Sequence, residues 1–320
     1  MIKIDLLFKR FFKPVLASVS CFLILAHMPI ALANSGVDPK ISWKVAGTVG
    51  LLDDSNVGVD ELDQLSTQGD SAITLSAKAG AKIQLAERVE LRASVSLSDK
   101  SFNDFDQFDL TTSLFSLQSS YDFLKFKFGG GMRYISTDLA SNSFLSNQQL
   151  YAFATHRLNK RWFFRGELNF ADKEFDLESS RDTSREKIGI DAYYFLDGTK
   201  RLWSYGLQFA DEQSESNNDQ FSRDITTVKV KYSQLTNVFA RDVRLEAQVR
   251  YQTRDYGAVD SRIGEVREDD RVRAKISAEV PIADKWFILG EYEYSDYSSN
   301  LPSADYSQNL FSIKVGWSLD

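Results

Sequence analysis

Apolar and polar side chains alternate residue by residue in short stretches along this 320-residue chain. In residues 243–251 one face would carry Val243, Leu245, Ala247, Val249 and Tyr251, and the other Arg244, Glu246, Gln248 and Arg250. A period of two indicates β-strands. Strands that are apolar on one face and charged on the other suit a closed sheet with lipid outside and water inside. The pattern therefore predicts an all-β fold, a transmembrane antiparallel up-and-down β-barrel.

Fourteen stretches of about ten residues carry this alternation, which is the length that a tilted strand needs to cross a bilayer. The first seven are 41–51, 72–85, 89–98, 108–120, 124–135, 148–157 and 162–171. The second seven are 185–196, 202–210, 225–234, 242–253, 271–281, 286–295 and 308–319. Alternation is weakest in strands four and six, so a barrel of twelve strands is the alternative.

Short and long links alternate between the predicted strands. The short ones are 86–88, 122–123, 158–161, 197–201, 235–241 and 283–285. Long links, rich in Asp, Ser and Asn, include 52–70, 172–184, 211–223 and 254–270. Short periplasmic turns and long external loops are the topology of outer-membrane barrels. An even strand count places both termini in the periplasm.

Aromatic residues fall at two levels along the predicted strands. Tryptophan prefers the headgroup level of a bilayer, and all five tryptophans fall at the expected periplasmic rim: Trp43, Trp162, Trp203, Trp286 and Trp317. Outward aromatic residues at the opposite strand ends are Tyr134, Phe170, Phe209, Tyr251 and Tyr294. We expect these sets to form two girdles, whereas a soluble β-sandwich has no reason to sort its aromatic residues in this way.

A secretory signal peptide is predicted at residues 1–33. Its basic residues are Lys3, Lys9, Arg10 and Lys13. An apolar run follows at 15–30, and Ala31-Leu32-Ala33 fits a cleavage site before Asn34. We expect the barrel to occupy residues 34–320. Cys21, the single cysteine of the chain, lies in the signal, so the mature barrel is expected to lack disulfides.

The predicted inward face is net basic, although the chain has a formal charge of -7 and a pI near 5.1. The expected basic lining of the lumen consists of Lys78, Lys82, Arg92, Lys125, Lys127, Arg133, Arg165, Lys229, Lys231, Arg273 and Lys275. The same face carries Lys44, Lys187, Arg244, Arg250 and Lys314, and the acids Glu90, Glu167, Asp191, Glu246, Glu279, Glu291 and Glu293. A basic lumen would concentrate anions. The alternative is that these charges pair across neighbouring strands as a stabilising network.

The external loops are acidic. The first carries Asp53, Asp54, Asp60, Glu61, Asp63 and Asp70, and the fourth Asp172, Glu174, Asp176 and Glu178. Carboxylates can hold Ca²⁺ or Mg²⁺, but the spacing matches no calcium loop, so we expect solvated loop tips and no metal site. None of these loops is long enough to be an obvious plug, so closure of the lumen would require side chains or folded-in loops.

Catalysis, a cofactor and nucleic-acid binding are not expected. Beyond His27 in the signal, the only histidine is His156, and no serine has the G-x-S setting of an activated nucleophile. The run Gly129-Gly130-Gly131 falls inside a strand and precedes no helix, so it is no phosphate loop. It favours bending or close packing under an aromatic neighbour.

Short motifs near the ends of the barrel resemble those of a known family. They are Leu52-Asp53-Asp54-Ser55-Asn56-Val57, Asp269-Asp270-Arg271, and the stretches 292–300 (YEYSDYSSN) and 305–309 (DYSQN). This set resembles the C-terminal barrel of the surface lipoprotein assembly modifier family. The resemblance implies fourteen strands and a role in bringing lipoproteins to the cell surface. Members of that family carry a helical repeat domain before the barrel, and we expect no room for one here.

Two functions remain open from the sequence. One is a monomeric passive pore that prefers anions, and the other is a non-conducting barrel module of a surface lipoprotein or polysaccharide export system. Either belongs in the outer membrane of a Gram-negative bacterium, among its lipid and lipopolysaccharide. We expect the alternating terminal strand, 311–319, to engage the barrel-assembly machinery. A periplasmic or lipoprotein partner is expected for the second function.

Overall fold

A computed structural model describes residues 40–216, 219–238 and 240–319, and these form a closed antiparallel barrel of fourteen strands. The predicted signal peptide lies outside the described residues. Two further short strands form a hairpin in the first long loop. In chain order the strands are β1 (Lys40–Asp54), β2 (Gly58–Val59), β3 (Gln64–Leu65), β4 (Asp70–Ala86), β5 (Val89–Phe102), β6 (Leu110–Phe123), β7 (Phe126–Leu139), β8 (Asn142–Arg157), β9 (Trp162–Phe175), β10 (Thr183–Asp197), β11 (Arg201–Ser214), β12 (Arg223–Val238), β13 (Arg241–Asp260), β14 (Glu265–Pro281), β15 (Trp286–Ser299) and β16 (Tyr306–Leu319).

Within the described ranges, which begin at Lys40, helical structure consists of single 3₁₀ turns in the loops. They span Asp60–Leu62, Asp106–Phe108, Ser179–Arg181, Asp219–Phe221 and Pro302–Ala304. In the part of the chain that the structure describes, none of the helices has the length and apolar character needed to span a membrane.

Each barrel strand pairs with its neighbours in the chain, and β16 returns to pair with β1. That last register runs from Val45 opposite Leu319 to Asp54 opposite Leu310. Closure satisfies backbone N–H and C=O groups that lipid cannot satisfy. The predicted fold class and the count of fourteen strands are confirmed, and the alternative of twelve is excluded.

The outer surface of the barrel is apolar, as the alternation predicts. On β13 the side chains of Leu245, Val249 and Tyr251 are exposed, and similar exposed apolar residues occur on most of the other barrel strands. A continuous apolar surface of this kind marks contact with a membrane or with another protein. Here it forms a band around the barrel, as lipid contact requires.

Aromatic residues border this apolar band at both ends. The five tryptophans lie near the strand ends that meet at the short turns, and Trp286 is directly opposite Trp317. At the other edge Phe170, Phe209 and Tyr251 are exposed on the outer face. Two residues further along their strands, the outward positions become polar. The long-loop edge of the lipid band therefore lies at these aromatic residues.

Several strands continue well beyond the predicted boundaries. β13 ends at Asp260 and β14 begins at Glu265. Most of the predicted loop 254–270 therefore belongs to these two strands. Between β7 and β8 the expected long loop is a two-residue turn, Ala140 and Ser141. Beyond the lipid most outward residues are polar, so the regular apolar signal ends while the backbone ladder continues. The predicted boundaries were therefore wrong at this end of the barrel.

The glycine run of β7 lies beneath two inward aromatic rings of β8. An added Cβ would come within 2.7 Å of Phe153 Cε1 at Gly129 and within 2.7 Å of Tyr151 Oη at Gly131. Both distances are shorter than van der Waals contact. The predicted close packing of these glycines under an aromatic neighbour is confirmed.

We expect Gly129→Ala to destabilise the barrel by about 1–3 kcal/mol, because the methyl group overpacks the Phe153 ring and the β6 backbone. Gly166→Ala is the matched control, since nothing lies within 4 Å of the added Cβ. The measurement is the midpoint of urea unfolding in lipid vesicles, followed by the shift of the unboiled band on a gel. Equal midpoints for the two variants would contradict this packing.

Candidate functional site

The structure places most of the predicted basic lining on inward strand positions. Register keeps Lys82 opposite Arg92 and Lys229 opposite Arg250, on the face away from the exposed apolar residues. Lys78, Lys127, Arg133, Arg165, Lys231, Arg273 and Lys275 occupy the same inward face. Lys125 does not, because it lies in the tight turn between β6 and β7, where its carbonyl oxygen is 3.3 Å from Nδ1 of His156.

In the half of the lumen nearest the short turns, carboxylates pair with these basic residues. Glu90 lies 2.8 Å from Lys82 Nζ and 2.5 Å from Arg92 Nε. Glu291 lies 2.5 Å from Nζ of both Lys275 and Lys314. This half matches the alternative from the sequence, a network of charges paired across strands.

Two arginines of the mid-lumen lie over aromatic rings. The guanidinium carbon of Arg133 is 4.1 Å from the ring centre of Tyr151, and that of Arg165 is 3.9 Å from the ring centre of Phe153. Both rings are the ones that cover the β7 glycines. Cation–π contact of this kind holds the arginine side chains against the wall, so the wall is ordered here rather than lined by free side chains.

The first long loop, residues 55–69, folds into the mouth of the barrel, and we call it the plug. Its apolar side chains join a core inside the barrel: Val57 is 0% exposed and Val59 4%. The other buried residues of this core are Ala72, Phe102, Phe144 and Phe175 of the wall strands and Phe108 of the loop between β5 and β6. Burial of apolar side chains in such a core fixes one side of the plug against strands β4 to β9.

The other side of the plug is acidic and faces arginines. Oδ1 of Asp63 accepts a hydrogen bond from Arg267 at 3.0 Å, and its Oδ2 accepts one from Arg262 at 3.0 Å. Arg181 Nη1 lies 3.6 Å from the same carboxylate. The side chains of Asp63 and Arg267 are only 6% and 3% exposed, so this ion pair is buried.

Asp60 and Glu61 extend this contact across the mouth. Arg271 donates to both oxygens of Asp60 at 2.6 Å, and Lys173 Nζ lies 3.1 Å from Glu61. Lys173 belongs to β9, which stands nearly opposite β1 in the barrel order. The plug therefore spans the mouth from wall to wall.

Ion pairing lowers the pKa of two plug carboxylates. The charge of Lys173 lowers the pKa of Glu61 to about 2, although burial opposes this. Burial alone would raise the pKa of Asp63, but the hydrogen bonds and charges of Arg267 and Arg262 outweigh it and hold the pKa well below its ordinary value. Both groups are ionised at neutral pH.

The plug overturns one expectation from the sequence. Asp60, Glu61 and Asp63 were expected at a solvated loop tip, with no obvious plug in the chain, but they lie inside the mouth in ion pairs. The physical reason is the matching set of basic residues on the wall. Across the ranges described, no group of three or more His, Cys, Asp or Glu side chains is arranged to hold a metal ion.

A cavity of about 270 Å³ lies between the plug and the wall. Its charged lining consists of Asp60, Glu61, Lys173, Arg185, Glu212, Arg223, Arg250, Arg254, Arg271 and Arg273. Seven of these side chains are basic and three are acidic. The mid-lumen therefore holds a surplus of positive charge directly under the plug.

Sequence reasoning missed the residues of the wall and its loops that contact the plug or line this cavity. They are Lys173, Arg181, Arg185, Arg223, Arg254, Arg262, Arg267 and Arg271. Most of them fall in stretches predicted to be loops. One signal in the sequence could have found two of them. Arg254 has the same strand parity as the inward Arg250, and Arg271 has the same parity as the inward Arg273, although both lie beyond the end of the apolar alternation.

A closed lipid-facing barrel with a folded-in loop belongs to the class of outer-membrane β-barrel proteins. The sequence profile of the surface lipoprotein assembly modifier family matches residues 43–319. The protein therefore belongs to that family, and the resemblance seen in its motifs is confirmed. Membership supports the predicted location in the Gram-negative outer membrane, while the periplasmic placement of both termini stays a prediction.

Solved structures show the same fold at low identity. OmpT of Vibrio cholerae, in a trimer form, is 10% identical with a TM-score of 0.52, covering 88% of this chain and 99% of that chain. An anion-selective porin from Comamonas acidovorans is 9% identical with a TM-score of 0.50, covering 88% of this chain and 100% of that chain. No curated protein sequence matches the chain. These likenesses show the fold alone.

We expect Asp63→Asn to loosen the plug, because removing one partner of a buried ion pair costs about 3–5 kcal/mol. Accessibility can be read with a thiol reagent at Val57→Cys, a buried plug position, in a Cys21→Ser background. Labelling should be slow with the native Asp63 and at least tenfold faster when the Asp63→Asn substitution is added.

Two controls accompany this labelling. Asp104→Asn removes an exposed carboxylate of the next loop and should leave the labelling rate unchanged. Leu177→Cys lies at an exposed loop position and should label fast in every background. Rapid labelling at position 57 with the native Asp63 would contradict the folded-in plug.

The plug contact should persist from neutral pH down to about 4.5 and weaken only below it. The pKa of Glu61 is lowered from 4.5 to about 2, so its stabilisation is complete above 4.5 and is lost as pH falls through about 2. Single-channel recording at pH 7, 5 and 3 should show openings only at pH 3. A Glu61→Gln, Asp63→Asn double variant should conduct independently of pH, and opening of the native protein between pH 7 and 5 would exclude these carboxylates as the cause.

Proposed function

We propose that this protein is the membrane module of a surface-lipoprotein assembly system, with a lumen that the plug closes at rest. Membership in the surface lipoprotein assembly modifier family supports the lipoprotein role. The observation that carries the proposal is the plug itself. A passive pore needs a continuous aqueous path, and the plug places an apolar core, the buried pair of Asp63 with Arg267 and further ion pairs across that path.

Because the plug closes the long-loop end of the barrel, a partner would bind at the end that carries the short turns. Near the short turns the lumen is polar and accessible to solvent, and the side chains of Lys82 and Arg92 are about half exposed around Glu90. If the short turns are periplasmic, as in other outer-membrane barrels, this vestibule opens toward arriving lipoproteins. A periplasmic partner or the lipoprotein itself would bind there.

A pore for anionic solutes is the second candidate, and one observation favours it. Lys229 and Arg250 face each other on neighbouring strands in the mid-lumen. Among the residues that the structure describes, neither forms an ion pair with a carboxylate within 4 Å. Their charge would favour anions in any state in which the plug is withdrawn.

The test is the surface exposure of lipoproteins in cells that lack this protein. Protease added to intact cells should digest fewer lipoproteins than in the parent strain, while total lipoprotein stays constant. Re-expression of the native chain should restore digestion. Unchanged exposure in the deletion strain would contradict the lipoprotein role.

Planar-bilayer recording of the purified native protein separates the two candidates. The plugged module should stay closed at pH 7. A steady anion-selective conductance at pH 7 would instead favour the pore. Lys229→Gln with Arg250→Gln should then reduce anion selectivity, with Lys82→Gln, whose cation pairs with Glu90, as the control.

A further inference from the structure

The cavity under the plug has basic groups that lack counter-charges. Arg223 pairs with Glu212 at 2.6 Å, whereas Arg254 reaches Asp60 only at 3.9 Å. Arg185 and Arg250 form no ion pair within 4 Å to any carboxylate of the described chain. Both line the cavity. A charge removed from water without a partner carries a large desolvation cost.

Hydrogen-bond donors in the same cavity lack acceptors. The Nε–H groups of Arg185, Arg223 and Arg271 are buried, and none of them has a hydrogen-bond partner among the residues that the structure describes. Three orphaned guanidinium donors around one cavity are unusual, because buried polar groups in folded proteins are nearly always satisfied. All three residues line the cavity, so an acceptor with several oxygens placed there would offer hydrogen-bond partners to their guanidinium groups.

Strand register adds like-charge repulsion at the same level. Arg250 of β13 lies directly opposite Lys229 of β12 on one side and Arg273 of β14 on the other. Like charges directly opposite each other destabilise a sheet. A bound anion would convert this repulsion into attraction, since guanidinium groups bind phosphate and carboxylate oxygens with two parallel hydrogen bonds.

Size and position restrict what the cavity would hold. Its volume of about 270 Å³ lies just below the 300–1,000 Å³ typical of pockets for drug-sized ligands. The strand wall separates it from the bilayer, so a soluble ligand has access from the lumen and a lipid headgroup does not. These limits fit a small soluble oxyanion of the phosphate class.

The plug competes with such an anion. Asp60 and Glu61 also line the cavity and already bind Arg271 and Lys173. Negative charge added beside them would repel both carboxylates and draw away the cations that hold them. Because coupling between two binding events is reciprocal, a plug without these carboxylates would leave the site freer for the anion.

We infer that the cavity is a binding site for a multivalent phosphate-class oxyanion, held by Arg185, Arg250 and Arg254, and that its occupation loosens the plug. The plug carboxylates compete with this anion for the basic residues of the wall. This site does not depend on the lipoprotein role, and each is tested by a separate measurement.

The experiment is calorimetric titration of the purified native protein with inorganic pyrophosphate at pH 7 and fixed ionic strength. Binding should weaken at least tenfold in Arg250→Gln and in Arg185→Gln. It should strengthen at least threefold in Asp60→Asn, in which the competitor is removed. Lys78→Gln, an inward basic residue outside the cavity lining, is the matched control and should bind as the native protein does.

Urea unfolding and thiol labelling test the inference further. The Arg250→Gln variant should still fold. Without ligand it should unfold at a urea concentration equal to or higher than that of the native protein, because the substitution removes like-charge repulsion. Pyrophosphate should also speed thiol labelling at Val57→Cys, whereas sodium chloride of equal ionic strength should not. Unchanged binding in Arg250→Gln and Arg185→Gln would overturn the site, and unchanged labelling or unchanged binding in Asp60→Asn would overturn the coupling to the plug.

Discussion

The antiparallel pairing of β1 with β16 is the contact on which the other features of the molecule depend. An open strand edge in the hydrocarbon region would leave N–H and C=O groups without partners, and each such group costs several kcal/mol. The register from Val45–Leu319 to Asp54–Leu310 removes that edge. Closure also encloses an interior, because each strand that turns an apolar residue to lipid turns the next residue inward.

Charge compensation explains how that interior is filled. Near the short turns the inward cations and anions lie on neighbouring strands, as with Lys82 and Glu90, and pair locally. Near the long loops the wall carries more arginines than carboxylates. There the plug supplies the missing negative charge, and the buried pair of Asp63 with Arg267 joins residues about two hundred positions apart. The plug is thus part of the electrostatic balance of the barrel.

Features that lipid imposes could be read from the sequence, and features that depend on distant contacts could not. The strand count and the outward aromatic residues followed from a local period of two, which the bilayer enforces. Lys125 was misplaced because its parity continues into a turn. The plug was missed because its partners lie on β9 and on β13, β14 and their loop, and no local pattern links them. The apolar residues of this acidic loop, Val57, Val59, Leu62 and Leu65, were a local hint, and three of them join the core: Val57, Val59 and Leu62.

Hydrogen–deuterium exchange of residues 55–69 in the native protein, reconstituted in lipid vesicles, tests most directly whether the first loop is folded inside the barrel. Slow exchange is expected at Val57 and Ser66, since their N–H groups donate to Gln68 and Val57 carbonyl oxygens at 3.0 and 2.7 Å. Exchange of the plug within seconds, as in an unfolded loop, would contradict a closed and charge-paired mouth.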